Sequence, residues 1–313
     1  MQKNCYLCRK ATSGNDTSPH PIWKETKTVE HKVTISLNET HTKAADTAIS
    51  EKADTAAAKK YKIGIALSGG GARGFAHAGA LAALDEAGVK PDIIAGVSAG
   101  AIAATLYAAG IPPKEMLSRF SKKFTDYVHF SLKTEGGLLS LSKLKQFMLK
   151  NAGVQNLEDL KIPTYIGVTD FDHGVATEFH TGNLGDRVMA SCSVPIVFKP
   201  VKIDGTNYVD GGVLRNLPAW TIRDKCEKLI GINCSPLPSF KYKKSIFEVA
   251  MRTFNLMSKT NQEPDMAMCD LVIKTPEIAT YQVFNLKDIQ KLYLSGYAAA
   301  HRAIKIWLKD NPL

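Results

Sequence analysis

Apolar and polar positions are unevenly distributed along this 313-residue chain, and the pattern changes near residue 60. Residues 1–60 are polar, rich in Thr, Lys, Glu, Asn and His and poor in large apolar side chains. Segment 43–60 repeats Ala-Asp-Thr-Ala, and its alanines favour helix, yet it has almost no apolar face to bury. It reads as a flexible tail or a frayed surface helix. The alternating patch Val33-Thr34-Ile35-Ser36-Leu37 reads as an edge strand. From Tyr61 to the end, 61–313, the pattern is that of an α/β domain. Lys62-Ile63-Gly64-Ile65-Ala66-Leu67 is a buried strand, followed by a glycine-rich turn. A helix over Ala76–Ala87 is closed by Gly88, with Pro91 beyond it. Ile93-Ile94-Ala95 is a second strand, and Ala99–Ala109 a second helix closed by Gly110 and Pro112-Pro113. Strand, helix, strand, helix at this spacing implies right-handed crossovers and a mostly parallel sheet with helices on both faces.

Further on, 114–151 reads as amphipathic helix broken at Gly136-Gly137. Tyr165–Thr169 is a strand, and Thr177–His180 pairs with it after the turn Asp172-His173-Gly174. Lys202-Ile203 and Tyr208-Val209 flank Asp204-Gly205 as a second hairpin. Leu229–Asn233 and Leu271–Ile273 are later strands, and 286–309 is a long amphipathic helix with Ile289, Leu292, Ile304 and Trp307 on its apolar stripe.

Composition narrows this picture. The chain is 44% hydrophobic and 22% charged, as in ordinary globular proteins. No run of eighteen apolar residues is present, so no spanning helix is expected. The first ten residues lack the apolar core of a secretory signal, and a cytoplasmic location is the expectation. The net charge of +10 comes from lysines spread along the whole chain, without an arginine block or basic–aromatic interleaving. Attraction to an anionic membrane surface suits that charge, and a nucleic-acid partner is not expected. Six cysteines are scattered through a chain too long to need staples. Cys5 and Cys8 form a Cys-x-x-Cys pair, but His20, His31 and His41 do not complete a zinc spacing. No metal and no cofactor are expected.

Two glycine-bracketed strings carry the candidate chemistry. Gly69-Gly70-Gly71-Ala72-Arg73-Gly74 follows the first strand, and Gly96-Val97-Ser98-Ala99-Gly100 joins the second strand to the second helix. The first also satisfies Gly-x-Gly-x-x-Gly, the dinucleotide fingerprint. That reading needs an acid closing the second strand to hold a ribose. Asp92 opens that strand instead, and Val97 and Ser98 stand at its end. No Gly-Lys-Ser/Thr follows, so a Walker loop is excluded. The other use of the loop is an oxyanion hole, where missing Cβ atoms let backbone N–H groups approach a ligand. Arg73 either stabilises that loop or meets a substrate phosphate. Gly-x-Ser-x-Gly between strand and helix is the pattern of a nucleophile elbow, with Ala99 N–H as a further donor.

A serine nucleophile needs a base. His301 lies within the C-terminal helix, His77 on the first helix and His173 in a turn, and none fits that role well. Asp210, in Val209-Asp210-Gly211-Gly212, fits better, because the glycine pair exposes the acid. The same string is also a common hairpin turn. Burial would raise the pKa of Asp210 and make it a useful base. A nucleotide-binding α/β protein and a non-catalytic lipid-binding module are the competing readings.

Taken in order, Gly69–Gly74, Gly96-Val97-Ser98-Ala99-Gly100 and Asp210-Gly211-Gly212, together with Ala190-Ser191-Cys192-Ser193-Val194-Pro195, resemble the patatin-like phospholipases, specifically bacterial ones. The resemblance runs from about Lys62 to the C-terminal helix and leaves the first sixty residues unmatched. It implies a three-layer α/β/α fold and calcium-independent hydrolysis of lipid acyl esters. It implies a dyad of Ser98 as nucleophile and Asp210 as base, with the glycine loop as oxyanion hole and Arg73 supporting it. Met116, Leu117 and Phe120 are candidates for an acyl groove, with core packing as their simpler role.

Overall fold

Residues 60–120, 123–130, 136–237 and 245–312 are described by the structure, a computed structural model. The chain divides into two units, Met1–Ala56 and Ala57–Leu313, and the second carries every element given below. The polar tail, the strand expected at 33–37 and the Cys5–Cys8 pair lie outside the described residues.

The alternation read from the sequence builds the first half of the domain. Strand β1 (Tyr61–Leu67) leads through a 3₁₀ turn at Gly71–Gly74 into α1 (Phe75–Glu86). Strand β2 (Ile93–Val97) leads directly into α2 (Ala99–Ala108), and α3 (Pro113–Arg119) follows. Two short strands come next, β3 (His129–Phe130) and β4 (Gly137–Ser140), and then α4 (Ser142–Ala152). The antiparallel pair β5 (Thr164–Asp170) and β6 (Val175–Phe179) precedes α5 (Leu184–Ser191). Strands β7 (Ile196–Phe198), β8 (Val201–Ile203) and β9 (Thr206–Asp210) follow closely. The rest comprises β10 (Cys226–Asn233), α6 (Ile246–Asn261), the short α7 (Glu263–Ala267), β11 (Leu271–Lys274) and α8 (Ile289–Asp310).

The central sheet runs β11-β10-β1-β2-β5-β9-β8, with β6 paired to β5 as well. Strands β11, β10, β1, β2 and β5 are mutually parallel, whereas β6, β9 and β8 are antiparallel to their neighbours. One face buries Ile65, Leu67, Ile94, Ile166 and Ile232 in the same core as α1, α2, α5 and α8. The other face, with Ala66, Ile93, Ala95 and Leu229, is covered by Leu217, Ala219 and Ile222 and by Met266 of α7. The fold is therefore the expected α/β/α arrangement, with one outer layer much thinner than the other.

The segment 114–151 departs from the expected amphipathic helix broken only at Gly136-Gly137. Helix α3 ends at Arg119, and β3 and β4 join β7 in a separate three-stranded sheet. The Gly136-Gly137 break is the cause. Gly136 takes a φ of +78°, outside helical space, and a side chain at Gly137 would overlap the Phe198 backbone with which β4 runs parallel.

Candidate active site

Sheet register brings together Ser98 and Asp210, more than a hundred residues apart. Strand β6 occupies one edge of β5 over Ile166–Asp170, so β2 and β9 share the other edge. They do so end to end. Val97, the last residue of β2, pairs with Gly167, and Asp210, the last residue of β9, pairs with Val168. The two strands thus point their C-terminal ends at one another beside β5, and Ser98 and Asp210 stand at the junction. The glycine loop closes a third side, at the end of β1. This is the carboxyl edge of the parallel strands, where open α/β sheets place their sites.

Ser98 sits at φ +53° and ψ −121°, a left-handed conformation that costs a non-glycine residue about 1–3 kcal/mol. Its neighbours hold it there. Ser98 N–H donates to Ser191 Oγ (2.8 Å), and Ser191 Oγ–H donates to Gly167 O (2.7 Å). The flanking glycines let α2 start hard against the sheet. A Cβ at Gly100 would overlap the Leu67 carbonyl oxygen, and one at Gly96 would overlap the Gly100 carbonyl. Gly100→Ala should therefore destabilise the protein by about 1–3 kcal/mol, with a matching fall in the thermal midpoint on a melting curve. An unchanged midpoint would show that α2 can move away without cost.

Asp210 is fully buried. Its Oδ1 accepts the Gly212 N–H (2.8 Å), and its Oδ2 has no partner of hydrogen-bond geometry. Burial pushes its pKa up from 3.8 to about 7, while the nearby Ser98 hydroxyl and the Gly212 N–H favour the charged form. The serine is thus close enough to act on the carboxylate but does not close an ordinary hydrogen bond to it. Cys192 lies beside both, and burial, together with the Asp210 charge, pushes its thiol up.

The acid loop is gripped from α6. Ser258 Oγ–H and Asn261 Nδ2 each donate to Gly212 O (2.9 Å both), and Asn261 Nδ2 also donates to Val213 O (3.0 Å). Asn216 connects this loop to the glycine loop. Its backbone N–H donates to Asn261 Oδ1 (3.0 Å), and its carbonyl accepts Gly69 N–H (3.0 Å). Neither Ser191 nor Asn216 stands out as a site residue from the sequence. Their only signal is position, one within the Ala190–Pro195 string and one six residues after Asp210.

The glycine loop is tied down at several points. Ala72 N–H donates to Val283 O (2.6 Å), and Cys234 N–H donates to Ser68 Oγ (2.9 Å). Gly71 has a φ of +57°. Arg73 is buried, its Nε donating to Tyr281 O (2.9 Å) and its Nη1 to Pro236 O (2.8 Å). Of its two expected roles, the side chain takes the first and braces the loop. Gly69, Gly70, Gly71 and Ala72 line the cavity with Ser98, Ala99 and Asp210, whereas Arg73 and Gly74 do not. Gly74 packs towards Ala99 instead. The N–H groups of Gly70 and Gly71 have no protein acceptor among the described residues, and that of Ala99 opens α2, where helix geometry leaves it free.

The histidines lie elsewhere. His77 is buried beneath the loop, with Nε2 2.8 Å from Ser68 O and Nδ1 3.3 Å from Cys234 Sγ, and burial pushes its pKa down to about 4. His173 pairs with Asp170 in the β5–β6 turn, and His301 stacks on Tyr297 along α8.

Above the serine lies a cavity of about 130 Å³ walled by Phe75, Phe120, Tyr127, Phe198, Phe254 and Phe284 among others. Among the described residues, no lysine or arginine lines it. Phe120 is thus a wall residue, whereas Met116 is buried core and Leu117 packs against that core. An apolar chamber with Ser98, the buried Asp210 carboxylate and the unpaired N–H groups of the glycine loop at its floor is equipped for acyl transfer.

The family model for patatin-like phospholipases matches residues 65–222, which contain all of these motifs. The chain belongs to the patatin-like phospholipase family. This patatin-like chain is 25% identical over 268 residues to lysophospholipase nte1 of Emericella nidulans, covering 75% of this chain and 18% of that protein. It is 33% identical over 161 residues to an uncharacterised NTE family protein of Mycobacterium tuberculosis, covering 50% of this chain and 44% of that one. It thus spans less than half the length of these curated relatives. Among solved structures, VipD from Legionella pneumophila aligns with a TM-score of 0.47 at 13% identity, over 79% of this chain and 67% of that one. No helix among the described residues is long and apolar enough to cross a membrane.

Proposed function

We propose that this patatin-like chain is a serine-dependent lipid acyl hydrolase, of phospholipase, lysophospholipase or esterase type. The observation that carries the reading is the head-on meeting of β2 and β9, with the Ser98 hydroxyl facing a fully buried carboxylate. Ser98 Oγ attacks the ester carbonyl carbon as Asp210 takes the hydroxyl proton. The tetrahedral oxyanion rests on the N–H groups of Gly70, Gly71 and Ala99, in a chamber dry enough to strengthen those bonds. Collapse breaks the ester C–O bond, and Asp210 returns its proton to the departing alcohol. Water, deprotonated by the same carboxylate, then cleaves the acyl-enzyme. The aromatic walls take the acyl chain. Among the described residues, those walls hold no lysine or arginine to meet the pyrophosphate of a dinucleotide, which favours the ester reading.

A serine-directed fluorophosphonate tests this. Mass spectrometry should find the adduct on Ser98, with no adduct in Ser98→Ala and much slower labelling in Asp210→Asn. A folded protein that takes no label would sink the reading.

A further inference from the structure

Beside the chamber above Ser98 lies a second, smaller space of about 60 Å³, bounded by α1, α2 and α3. Gly71, Phe75, Ala99, Ile102 and Phe120 face both spaces. Gly74, Ala78, Ala103, Leu106 and Met116 face the second alone. Met116, a core residue by its burial, is thus also a wall of this space. Among the described residues, no side chain facing it carries a charge, a hydroxyl or an amide.

The space exists because Gly74, Ala78, Ala99 and Ala103 are small. A leucine at 78 or 103 would fill it. Folded interiors hold few voids, since the lining of an apolar void forfeits dispersion contacts. Without polar partners, the space does not hold ordered water either. Its position is not that of a random packing fault. Ala99 follows Ser98 in the chain, and Gly71 belongs to the glycine loop. Phe75 and Phe120 form the partition between the two spaces. Their rings meet edge to face, with centroids 5.1 Å apart at 85°. Phe120 also packs on Phe147 (4.7 Å) and Tyr127 (5.7 Å).

We propose that this second space is a subsite for the acyl chain of the substrate, so that esters of longer chains are preferred to short ones. The inference rests on the hydrolase reading and names chain length as its specificity. Whatever enters must be apolar, must reach the space past Phe75 and Phe120, and must be joined to the group reacting at Ser98. A methylene chain meets all three conditions. A headgroup does not, because this lining would leave its polar atoms unpaired. The space takes a few methylene groups beyond those held in the main chamber. A short chain never reaches it, and each methylene that does so adds burial to the transition state.

The test compares p-nitrophenyl butyrate with p-nitrophenyl dodecanoate, each below the concentration at which it aggregates. In the parent, kcat/KM should be higher for dodecanoate. Ala103→Leu adds three carbons to the α2 wall and should lower the dodecanoate-to-butyrate ratio of kcat/KM by about tenfold or more. Ala78→Leu, which fills the space from α1, is the independent variant and should act in the same direction. A ratio taken within one protein does not depend on how much of that protein is folded. A parent that prefers butyrate, or a ratio kept by both variants, overturns the proposal. So does an equal fall for both esters, which is what a distortion around Ser98 without a subsite would produce. Failure of the hydrolase reading appears separately, as no fluorophosphonate adduct and no hydrolysis of either ester by the parent. The subsite is then read by calorimetric titration of Ser98→Ala with dodecanoate, where adding Ala103→Leu should weaken binding by about tenfold. Equal binding with and without Ala103→Leu overturns the subsite.

Discussion

Asp210→Asn should keep the fold and lose about 10²–10⁴-fold in kcat for ester hydrolysis, the usual worth of a positioned general base. Asparagine has the same shape, and its Oδ1 can go on accepting the Gly212 N–H. It cannot take the Ser98 proton. The loss of activity should come with a gain in stability whose sign follows from linkage. Asp210 has a folded pKa of about 7 against 3.8 for a free side chain, so the folded state holds the proton more tightly than the unfolded state. Stability from this group is therefore complete below pH 4, falls as pH rises to 7, and stays low above. Three pKa units correspond to a penalty of about 4 kcal/mol at pH 8. Asparagine carries no charge to bury and is spared that penalty, although its Nδ2 replaces an oxygen that already lacks a partner. Thermal midpoints should thus favour Asp210→Asn at pH 8 and converge with the parent only below about pH 4. A variant less stable at both pH values would mean that the carboxylate holds the loop together. A variant with parental kcat would remove Asp210 from the chemistry.

The local half of this site is legible in the sequence. Gly-x-Ser-x-Gly after an apolar run specifies a strand, a strained turn and a helix, because only glycine tolerates the approach of α2 to Leu67. The order of β1, α1, β2 and α2 follows from short-range punctuation for the same reason. The meeting of Ser98 with Asp210 has no such local signal. It depends on β9 reversing direction and pairing with the last part of β5, in a register set by strands far apart in the chain. Long-range register also produced the one misread segment. Residues 137–140 are strand because Leu139 finds Phe198, about sixty residues away, and not because of local preference. Asn216 and Ser191 stayed hidden because their roles are bonds to backbone atoms of other elements, which no residue pattern encodes.

Ester hydrolysis should rise with pH to a plateau, with half-maximal kcat/KM near pH 7, where an ordinary aspartate would already be saturated near pH 5. Asp210 must be ionised to accept the Ser98 proton, and burial holds that ionisation at about 7. At pH 5, two units below, kcat/KM should stand about 100-fold under the plateau. A midpoint near 7 ordinarily suggests histidine, and here the chemistry argues otherwise. His77 is pushed down to about 4 and faces Ser68 and Cys234 beneath the loop, while His173 and His301 lie away from the cavity. The Cys192 thiol moves the other way, well above its usual range. The rate of fluorophosphonate inactivation supplies the check, because that attack needs the same proton transfer and none of the later steps. Both limbs should share one midpoint, and His77→Gln should leave it in place. A profile flat from pH 5 to 8, or a midpoint near 4, would mean that Asp210 is already ionised in the resting site. Burial would then not be what tunes the base.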